Sequence, residues 1–229
     1  MRELGFDGLD INMGCPVRDV VKRGAGSGLI GNYEVAGALI DAAKRGAKGI
    51  PLSIKTRLGQ KSNIAMEWTT FLLGKDIAAL TIHGRIAKQM SQGEADWEEI
   101  GKIVEIKNKI TPETLIIGNG DVKSFKEVCE KRDKYRVDGV MIGRGVFANP
   151  WVFSKDQKDI DHPKEDYINI LLKHLDLFEK TWGKTKNFEV IKKFFKMYIK
   201  DFNGANALRI RLMDTKNFEE AKSILQKSI

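Results

Sequence analysis

Short apolar segments bounded by turn residues alternate with helically periodic segments from the start of the chain to about residue 150. Such apolar runs are typical of strands, and apolar residues at i, i+3, i+4 and i+7 are typical of helices. The alternation predicts parallel βα units whose strands are apolar on both faces. The predicted strands are 8–13, 51–56, 78–83, 114–118 and 137–142, and the predicted helices are 33–45, 66–73, 97–107 and 122–131.

The pattern changes after Asn149-Pro150, and from about residue 163 only helical periodicity remains. We therefore predict an α/β domain over 1–153 and an all-helical domain over 160–229. Two apolar stripes are predicted in the second domain, at Leu171, Leu172, Leu175 and Phe178 and at Val190, Phe194, Met197 and Tyr198.

Composition and cysteine usage limit the class of protein. With 42% hydrophobic and 31% charged residues, the chain has the composition of a soluble globular protein. Cys15 and Cys129 are too few for a disulfide framework or a cysteine-only zinc site, so we expect no metal, and we expect Cys129 to be a small core residue. The sequence has no apolar run long enough to cross a membrane and no signal peptide, which predicts a cytoplasmic protein without a membrane partner.

The net charge of +8 and the pI near 9.3 describe a surface that attracts polyanions. Nucleic acid is one such partner, because lysine and arginine release counterions from phosphates. A basic average that serves only solubility explains the same charge. The segment 160–229 also carries an excess of basic residues, with fourteen Lys and Arg against ten Asp and Glu.

Polar side chains that could take part in catalysis or ligand binding follow the predicted strands. They are Asn12, Cys15, Lys55, Arg57, His83, Arg85, Asn119, Asp121 and Arg144. A (β/α)8 barrel builds its active site from the loops at this edge of the sheet. A doubly wound sheet also binds ligands at the carboxyl ends of its strands, so this placement fits both folds. Each residue also has a simpler explanation when taken singly: Cys15 as a buried thiol, Lys55 as a solvated charge, His83 as a core histidine.

The order of the motifs is more specific than any one of them. The chain resembles the tRNA-dihydrouridine synthase family from about Phe6 to Phe153, and more loosely beyond. The resemblance rests on Asp10-Ile11-Asn12-Met13-Gly14-Cys15-Pro16, Arg23-Gly24-Ala25-Gly26-Ser27-Gly28-Leu29, Ser53-Ile54-Lys55-Thr56-Arg57, Thr81-Ile82-His83-Gly84-Arg85, Gly118-Asn119-Gly120-Asp121-Val122 and Met141-Ile142-Gly143-Arg144-Gly145.

The resemblance implies a (β/α)8 TIM barrel that holds FMN, followed by a helical domain that helps to grip tRNA. It implies reduction of the C5=C6 bond of specific uridines, with NADPH or NADH as the reductant and Cys15 as the proton donor to C5. The uridine must leave its stack for this chemistry. Thiols have an ordinary pKa of about 8.5, so a cysteine is protonated at neutral pH and needs little tuning to act as an acid.

The resemblance also assigns the remaining candidate residues. Glycines in the cofactor loops let backbone N–H groups approach a phosphate, and Arg144 can bind one bidentately. Arg57 and Arg85 are expected to meet phosphate or tRNA, and Asn12 to orient the uracil edge. We expect 18–29 to be a mobile basic loop that closes over the tRNA. The cofactor residues are Lys55, His83, Asn119, Gly120, Asp121, Gly143 and Arg144, and the substrate residues are Asn12, Arg57, Arg85, Arg18, Lys22 and Arg23.

The sequence departs from the family pattern at its start. The family's barrel begins with three further strands, and here the chain opens at what resembles the fourth, with residues 1–3 at the end of a helix. A barrel without three strands has open edges and an unfilled interior. We therefore expect that the full gene product is the enzyme, a monomer, and that this chain alone is unstable or binds flavin weakly.

Two other functions remain open from the sequence. One is a tRNA-binding remnant without catalytic activity, and the other is a flavin barrel acting on a small molecule, similar to dihydroorotate dehydrogenase. Retention of Cys15, Lys55 and His83 favours an enzyme over a remnant. The basic segments favour tRNA over a small metabolite, and salt-dependent tRNA binding would separate these functions.

The expected weak flavin binding can be measured directly. Residues 1–229 are expressed and purified, and the flavin absorbance band is compared with the protein concentration. We expect substoichiometric flavin that is lost on dilution. Stoichiometric, tightly held FMN would contradict the expectation.

Overall fold

The computed structural model describes residues 4–154, 156 and 160–229. The chain divides into two compact units, Met1–Val146 and Phe147–Ile229, which are described separately. The interpretation of residues 1–3 as a helix end lies outside the described residues.

The first unit contains a five-stranded parallel sheet whose strands lie side by side in chain order. All five predicted strands are confirmed, with ends shifted by a few residues. The sequential order has no reversal of direction along the sheet, whereas a doubly wound sheet reverses at its switch point. The sheet and its helices are consistent with part of a (β/α)8 barrel. The strands are β1 Leu9–Asn12, β2 Leu52–Arg57, β3 Ala79–His83, β4 Leu115–Asn119 and β5 Gly139–Met141.

Helices connect consecutive strands of the sheet, and the four predicted ones are confirmed. The last of these begins three residues later than predicted, because the Ser124 hydroxyl caps it by accepting a hydrogen bond from Glu127 N. The helices are α1 Arg18–Lys22, α2 Tyr33–Ala47, α3 Ala65–Leu73, α4 Trp97–Ile110 and α5 Phe125–Tyr135, and short 3-10 turns cover Gly26–Leu29, Ala87–Gln89 and Arg144–Phe147.

The two faces of the sheet differ in chemistry, and the prediction of strands apolar on both faces is wrong. Residues in register on parallel strands point to the same face. One face carries Ile54, Leu80, Ile82 and Ile116, which are fully buried under the helices. The opposite face is mostly polar on β1 to β3, with exposed Asp10 and Asn12 and buried Thr81, while β4 adds Leu115 and Ile117. Its polar residues are Asp10, Asn12, Ser53, Lys55, Thr81, His83 and Asn119.

In the second unit, every element described from residue 164 onward is a helix. The predicted stripe on the first of these helices is confirmed for Leu171, Leu175 and Phe178, while Leu172 is only partly buried. Of the second stripe, Tyr198 is buried and Phe194 and Met197 are partly buried, whereas Val190 is exposed and its neighbour Ile191 is buried instead. The helices are α6 Lys164–Trp182, α7 Glu189–Lys192, α8 Phe195–Tyr198, α9 Ala205–Asp214 and α10 Phe218–Gln226.

Two further observations concern the sequence predictions. Cys129 is partly exposed on α5, a helix with no fully buried residue, so its prediction as a core residue is wrong. None of the helices in the described part of the chain is both long and apolar enough to span a membrane.

Trp97, the first residue of α4, packs against the sheet beside the end of β4. A Cβ atom added to Gly118 would overlap the Trp97 indole, and Trp97 Nε1 donates a hydrogen bond to Gly120 O at 3.0 Å. The absence of a side chain at Gly118 therefore lets Trp97 hold the loop that follows β4.

We predict that Gly118→Ala lowers the free energy of unfolding by about 1 to 3 kcal/mol, because the new methyl overpacks the indole. The matched control is Gly46→Ala in α2, where an added Cβ meets nothing within 4 Å. The control should raise stability by about 0.5 to 1 kcal/mol, because alanine is the better helix former. Urea denaturation followed by tryptophan fluorescence measures both, and a Gly118→Ala protein as stable as wild type would contradict the packing argument.

Candidate functional site

The register of the parallel sheet brings the predicted site residues to one edge. Asn12 pairs with Lys55 across β1 and β2, Arg57 pairs with His83 across β2 and β3, and His83 pairs with Asn119 across β3 and β4. These positions lie at the carboxyl ends of the strands and on the polar face of the sheet. The sheet therefore places side chains that are far apart in sequence beside one another.

The loop that carries Cys15 is held by hydrogen bonds on both sides of the cysteine. Asn12 Oδ1 accepts from Gly14 N and from Cys15 N, both at 3.0 Å, and Cys15 O accepts from Ser27 N at 2.9 Å. Gly26, with φ of 57°, lies so close that an added Cβ would meet Cys15 O at 2.7 Å. The Cys15 thiol is partly exposed and has no hydrogen bond within the described residues. The backbone is thus fixed while the sulfur is left available.

Asn12 makes two hydrogen bonds within the protein that the sequence did not predict. Its side-chain oxygen is used by the turn, so only its amide nitrogen is left to meet a ligand. Asn12 therefore holds the turn that carries Cys15.

Arg57 is buried at 8% exposure, which differs from the expected contact with phosphate or tRNA. Its Nε donates to Gly14 O at 2.9 Å, and its Nη1 donates to Met90 O at 3.0 Å and to Ile86 O at 3.4 Å. The guanidinium therefore connects the Cys15 loop to the loop after β3. Because Nε and Nη1 are used by backbone carbonyls inside the protein, Arg57 supports the site, and Nη2 is left without a hydrogen bond within the described residues.

Arg85 likewise differs from its predicted substrate role, since only 2% of it is exposed. It donates to Gln92 O, Gly93 O, and the carboxylate of Asp121, which also accepts from Ala95 N. Its Nη1 lies 3.1 Å from His83 Nε2. A guanidinium can only donate, so Nε2 of His83 accepts, and the proton of the neutral imidazole is on Nδ1.

The electrostatics of this cluster keep His83 neutral. Burial, together with the nearby cations Arg57, Lys55 and Arg85, lowers the pKa of His83 to about 3, although Asp121 opposes the shift. Burial would raise the pKa of Asp121, but hydrogen bonds from Arg85 and Ala95 N bring it below its usual value. The histidine is therefore a fixed hydrogen-bond donor through Nδ1 at neutral pH.

Lys55 is a half-buried cation without a counterion. Burial and the neighbouring Arg57 lower its pKa, while Asp10 opposes the shift. Lys55 has no ion pair or side-chain hydrogen bond within the described residues, whereas buried Lys107 and Lys192 pair with Asp138 and Glu189. A desolvated, unpaired cation is costly, so this position suits an anionic or electron-rich ligand.

The loops after β4 and β5 contain the remaining predicted cofactor residues. Asn119 Nδ2 donates to Met141 O at 2.8 Å, which joins the ends of the two strands. Gly120 has φ of 130° and lies against the His83 ring, where an added Cβ would be 3.2 Å from Cδ2. Gly143 and Arg144 are exposed, and an added Cβ at Gly143 would meet nothing within 4 Å. These two remain open to a ligand.

The segment after Cys15 differs from the irregular mobile loop that was expected. It forms helix α1 and the turn Gly26–Leu29, and Gly26, Ser27 and Leu29 are buried. The predicted substrate cations of this segment are all exposed: Arg18, Lys22 and Arg23.

Several polar residues of the site were not predicted. Ser53 Oγ donates to Asp10 Oδ1 at 2.7 Å, and Thr81 lies between Lys55 and Ile117 in the register. The period-two placement of Ser53, Lys55 and Arg57 in β2 is the sequence signal that could have identified this face. The described residues contain no group of three or more His, Cys, Asp or Glu that could hold a metal.

We predict that His83 makes folding stability depend on pH in one direction. The folded pKa of about 3 lies below the ordinary value of 6.5, so protons bind the unfolded chain preferentially between these values. Stability is complete above pH 6.5 and falls as the pH falls towards 3. Allowing for solvent screening, the loss between pH 7 and pH 5 attributable to His83 is about 1 kcal/mol.

Urea denaturation of wild type and His83→Gln at both pH values measures this contribution. The variant should lose less stability between pH 7 and pH 5 than the wild type does. Equal losses would show that His83 titrates normally in the folded protein.

Comparisons with known proteins identify the family. The family model described as dihydrouridine synthase (Dus) matches residues 1–229. The chain is 43% identical to the probable tRNA-dihydrouridine synthase 2 of Bacillus subtilis, over 98% of this chain and 69% of that protein. It is 41% identical to probable tRNA-dihydrouridine synthases of Staphylococcus aureus and Staphylococcus epidermidis, over 98% of this chain and 68% of each. The chain therefore belongs to the dihydrouridine synthase family.

Proposed function

We propose that the protein reduces the C5=C6 bond of specific uridines in tRNA, with FMN as its cofactor, NADPH or NADH as the reductant and Cys15 as the proton donor. The observation that carries the proposal is the position of the Cys15 loop at the same sheet edge as unpaired Lys55 and neutral His83. Dihydrouridine synthases are generally flavin-dependent. Bound FMN would supply the hydride that adds to C6 of the uracil.

The charges of the site fit this cofactor. Three cations lie at the edge formed by the carboxyl ends of the strands: Lys55, Arg57 and Arg85. Asp121 forms an ion pair with Arg85 alone among them. An isoalloxazine gains negative charge near N1 and the C2 carbonyl on reduction, and a fixed cation in a low-dielectric site stabilises that charge. Of these three cations, Lys55 has no ion pair or side-chain hydrogen bond within the described residues, so its ammonium group could stabilise the charge of the reduced ring.

The remaining predicted residues divide into those that bind and those that position. Nδ1–H of His83 and the side-chain oxygen of Asn119 are free to hold the ring system. Gly143 and exposed Arg144 are suited to the phosphate, since the guanidinium binds it bidentately. Gly120 and Asp121 act through His83 and Arg85, because the Asp121 carboxylate accepts from Arg85 and Ala95.

Cys15 would transfer its Sγ proton to C5 of the uracil and be left as a thiolate, which water reprotonates. The Asn12 and Ser27 hydrogen bonds hold the backbone on either side of the thiol and so fix its direction. The proton and the hydride together add two hydrogens across the double bond.

The substrate and the cellular location follow from the same proposal. Exposed Arg18, Lys22 and Arg23 beside the thiol would meet tRNA phosphates. The helical unit would contribute to the grip on tRNA, and a protein that modifies tRNA would work as a monomer in the cytoplasm. The relatives named above are described as probable tRNA-dihydrouridine synthases, which favours this substrate over a small metabolite.

We predict that Cys15→Ala abolishes most dihydrouridine formation while FMN and tRNA binding persist. The full-length protein is incubated with saturating FMN, NADPH and an unmodified tRNA transcript, and dihydrouridine is measured by mass spectrometry of the digested RNA. Loss of a general acid should slow the reaction by about 100-fold or more.

The matched control is Cys129→Ala, which removes the other thiol from the partly exposed helix α5. The control should retain wild-type activity and correct for general effects of thiol loss. Near-normal turnover by Cys15→Ala would refute the role of the thiol. A wild-type full-length protein without activity and without salt-dependent tRNA binding would refute the proposed function as a whole.

A further inference from the structure

A groove of about 350 Å³ lies beside the Cys15 loop, and its walls come from three different loops. The segment after β1 contributes one wall, the loop after β2 contributes Gln60 and Lys61, and the loop after β3 contributes the turn Ala87–Gln89. Backbone hydrogen bonds fix the last two walls together, from Ala87 N to Gly59 O at 2.8 Å and from Lys88 N to Gln60 O at 3.0 Å. We call this feature the loop groove.

The loop groove is continuous with the candidate active site. Pro16, which follows Cys15 directly, is part of its lining, and so is Met90. Arg57 donates to both Gly14 O and Met90 O, so a single buried guanidinium holds the thiol loop and the far wall. A ligand in the groove would therefore lie next to whatever Cys15 protonates.

The inner surface of the groove is apolar, and its rim is basic. Pro16, Val21, Ala87 and Met90 supply the apolar surface. Four exposed cations line the groove, no aspartate or glutamate does, and none of the four has an ion pair or side-chain hydrogen bond within the described residues. These cations are Arg18, Lys22, Lys61 and Lys88.

A buried hydroxyl in the groove lining lacks a partner. Ser27 is fully buried, and its Oγ is the one buried side-chain polar atom within the described residues that has no hydrogen bond. Buried hydroxyls without partners are rare and costly in folded proteins. Because Ser27 is fully buried, a ligand group would reach its hydroxyl only after the groove lining shifts on binding.

We propose that the loop groove binds a nucleotide of the tRNA strand adjacent to the uridine that is reduced. The inference rests on the proposed function and names a second contact for the same substrate. A nucleotide combines a flat apolar base with phosphates on either side, which matches an apolar surface with a cationic rim. Withdrawal of one uridine from its stack also unstacks its neighbour, and the groove would receive that exposed base.

The size and the charges of the groove favour an RNA strand as its ligand. Four separate cations around one apolar pocket suit consecutive phosphates of a chain. A free dinucleotide reductant shares the phosphate chemistry, so the experiment must distinguish the two sources.

The test is the double variant Lys61→Gln and Lys88→Gln in the full-length protein, with binding of an unmodified tRNA transcript measured over a series of salt concentrations. Each phosphate contact to a single strand contributes roughly 0.7 to the slope of log affinity against log salt. The variant should lose about 1.4 of that slope and, at about 0.1 M salt, about 25-fold in affinity. The Michaelis constant for NADPH should stay within about twofold of wild type.

The matched control removes the same charge elsewhere, with Lys109→Gln and Lys126→Gln on the exposed surfaces of α4 and α5. It should bind tRNA like the wild type. If wild type binds and modifies tRNA but the groove variant matches this control, the groove inference is wrong and the proposed function stands. A rise in the Michaelis constant for NADPH with unchanged tRNA affinity would assign the groove to the reductant and overturn the inference. No salt-dependent tRNA binding by wild type would overturn both.

A second variant tests the hydroxyl independently of charge. Ser27→Ala should leave the melting temperature unchanged or higher, because it removes an unsatisfied buried group. It should weaken tRNA binding by about three- to tenfold through the lost hydrogen bond. A lower melting temperature with unchanged tRNA affinity would show that the hydroxyl serves the fold and contradict its role in the groove.

Discussion

The parallel register of β1 to β4 is the constraint on which the candidate site depends. Because the strands run in the same direction and pair in chain order, their carboxyl ends meet at one edge, and the pairs Asn12–Lys55, Arg57–His83 and His83–Asn119 follow from it. A shift of one residue in any strand would turn its polar positions towards the helices. The helix-covered face prevents that shift, since Ile54, Leu80 and Ile116 would have to leave a closely packed core.

The same edge concentrates positive charge, and the structure compensates only part of it. Arg57 and Arg85 are buried and donate to backbone carbonyls or to Asp121, whereas Lys55, whose pKa is lowered by burial, has no ion pair within the described residues. Cations buried together raise the free energy of the folded protein unless something negative joins them. A bound anion or electron-rich ring beside Lys55 would therefore stabilise the folded protein by mass action.

Arg57 links the two parts of the molecule that would contact the substrate. Its hydrogen bonds to Gly14 O and Met90 O join the Cys15 loop to the loop groove. A displacement of the Cys15 loop would therefore also disturb the groove wall at Met90. Met90 has φ of 54°, a conformation that is strained for a side chain of its size. The Arg57 hydrogen bond to Met90 O helps to hold Met90 in this conformation and so offsets part of the backbone strain in the groove wall.

Much of the fold and the identity of the site residues could be predicted because they depend on local pattern. Strand and helix alternation, the position of polar residues after strands, and the motif order around Cys15 are all properties of the chain read in order. Contacts between segments could not be predicted in the same way. Nothing near Arg57 or Arg85 in the sequence reveals that Gly14 O, Met90 O and His83 will accept hydrogen bonds from them, so their role in supporting the loops of the site could not be predicted.

The loop groove shows the same division between local and distant information. Ser27, Lys61 and Lys88 belong to three loops that no periodicity connects, and they form one surface only after β1, β2 and β3 align. The sequence by itself determined the order of strands and helices and which chemical groups follow each strand, because side-chain periodicity is a local property. Only the tertiary structure decided which of those groups are buried, paired or left free, because burial and pairing depend on residues brought together by packing.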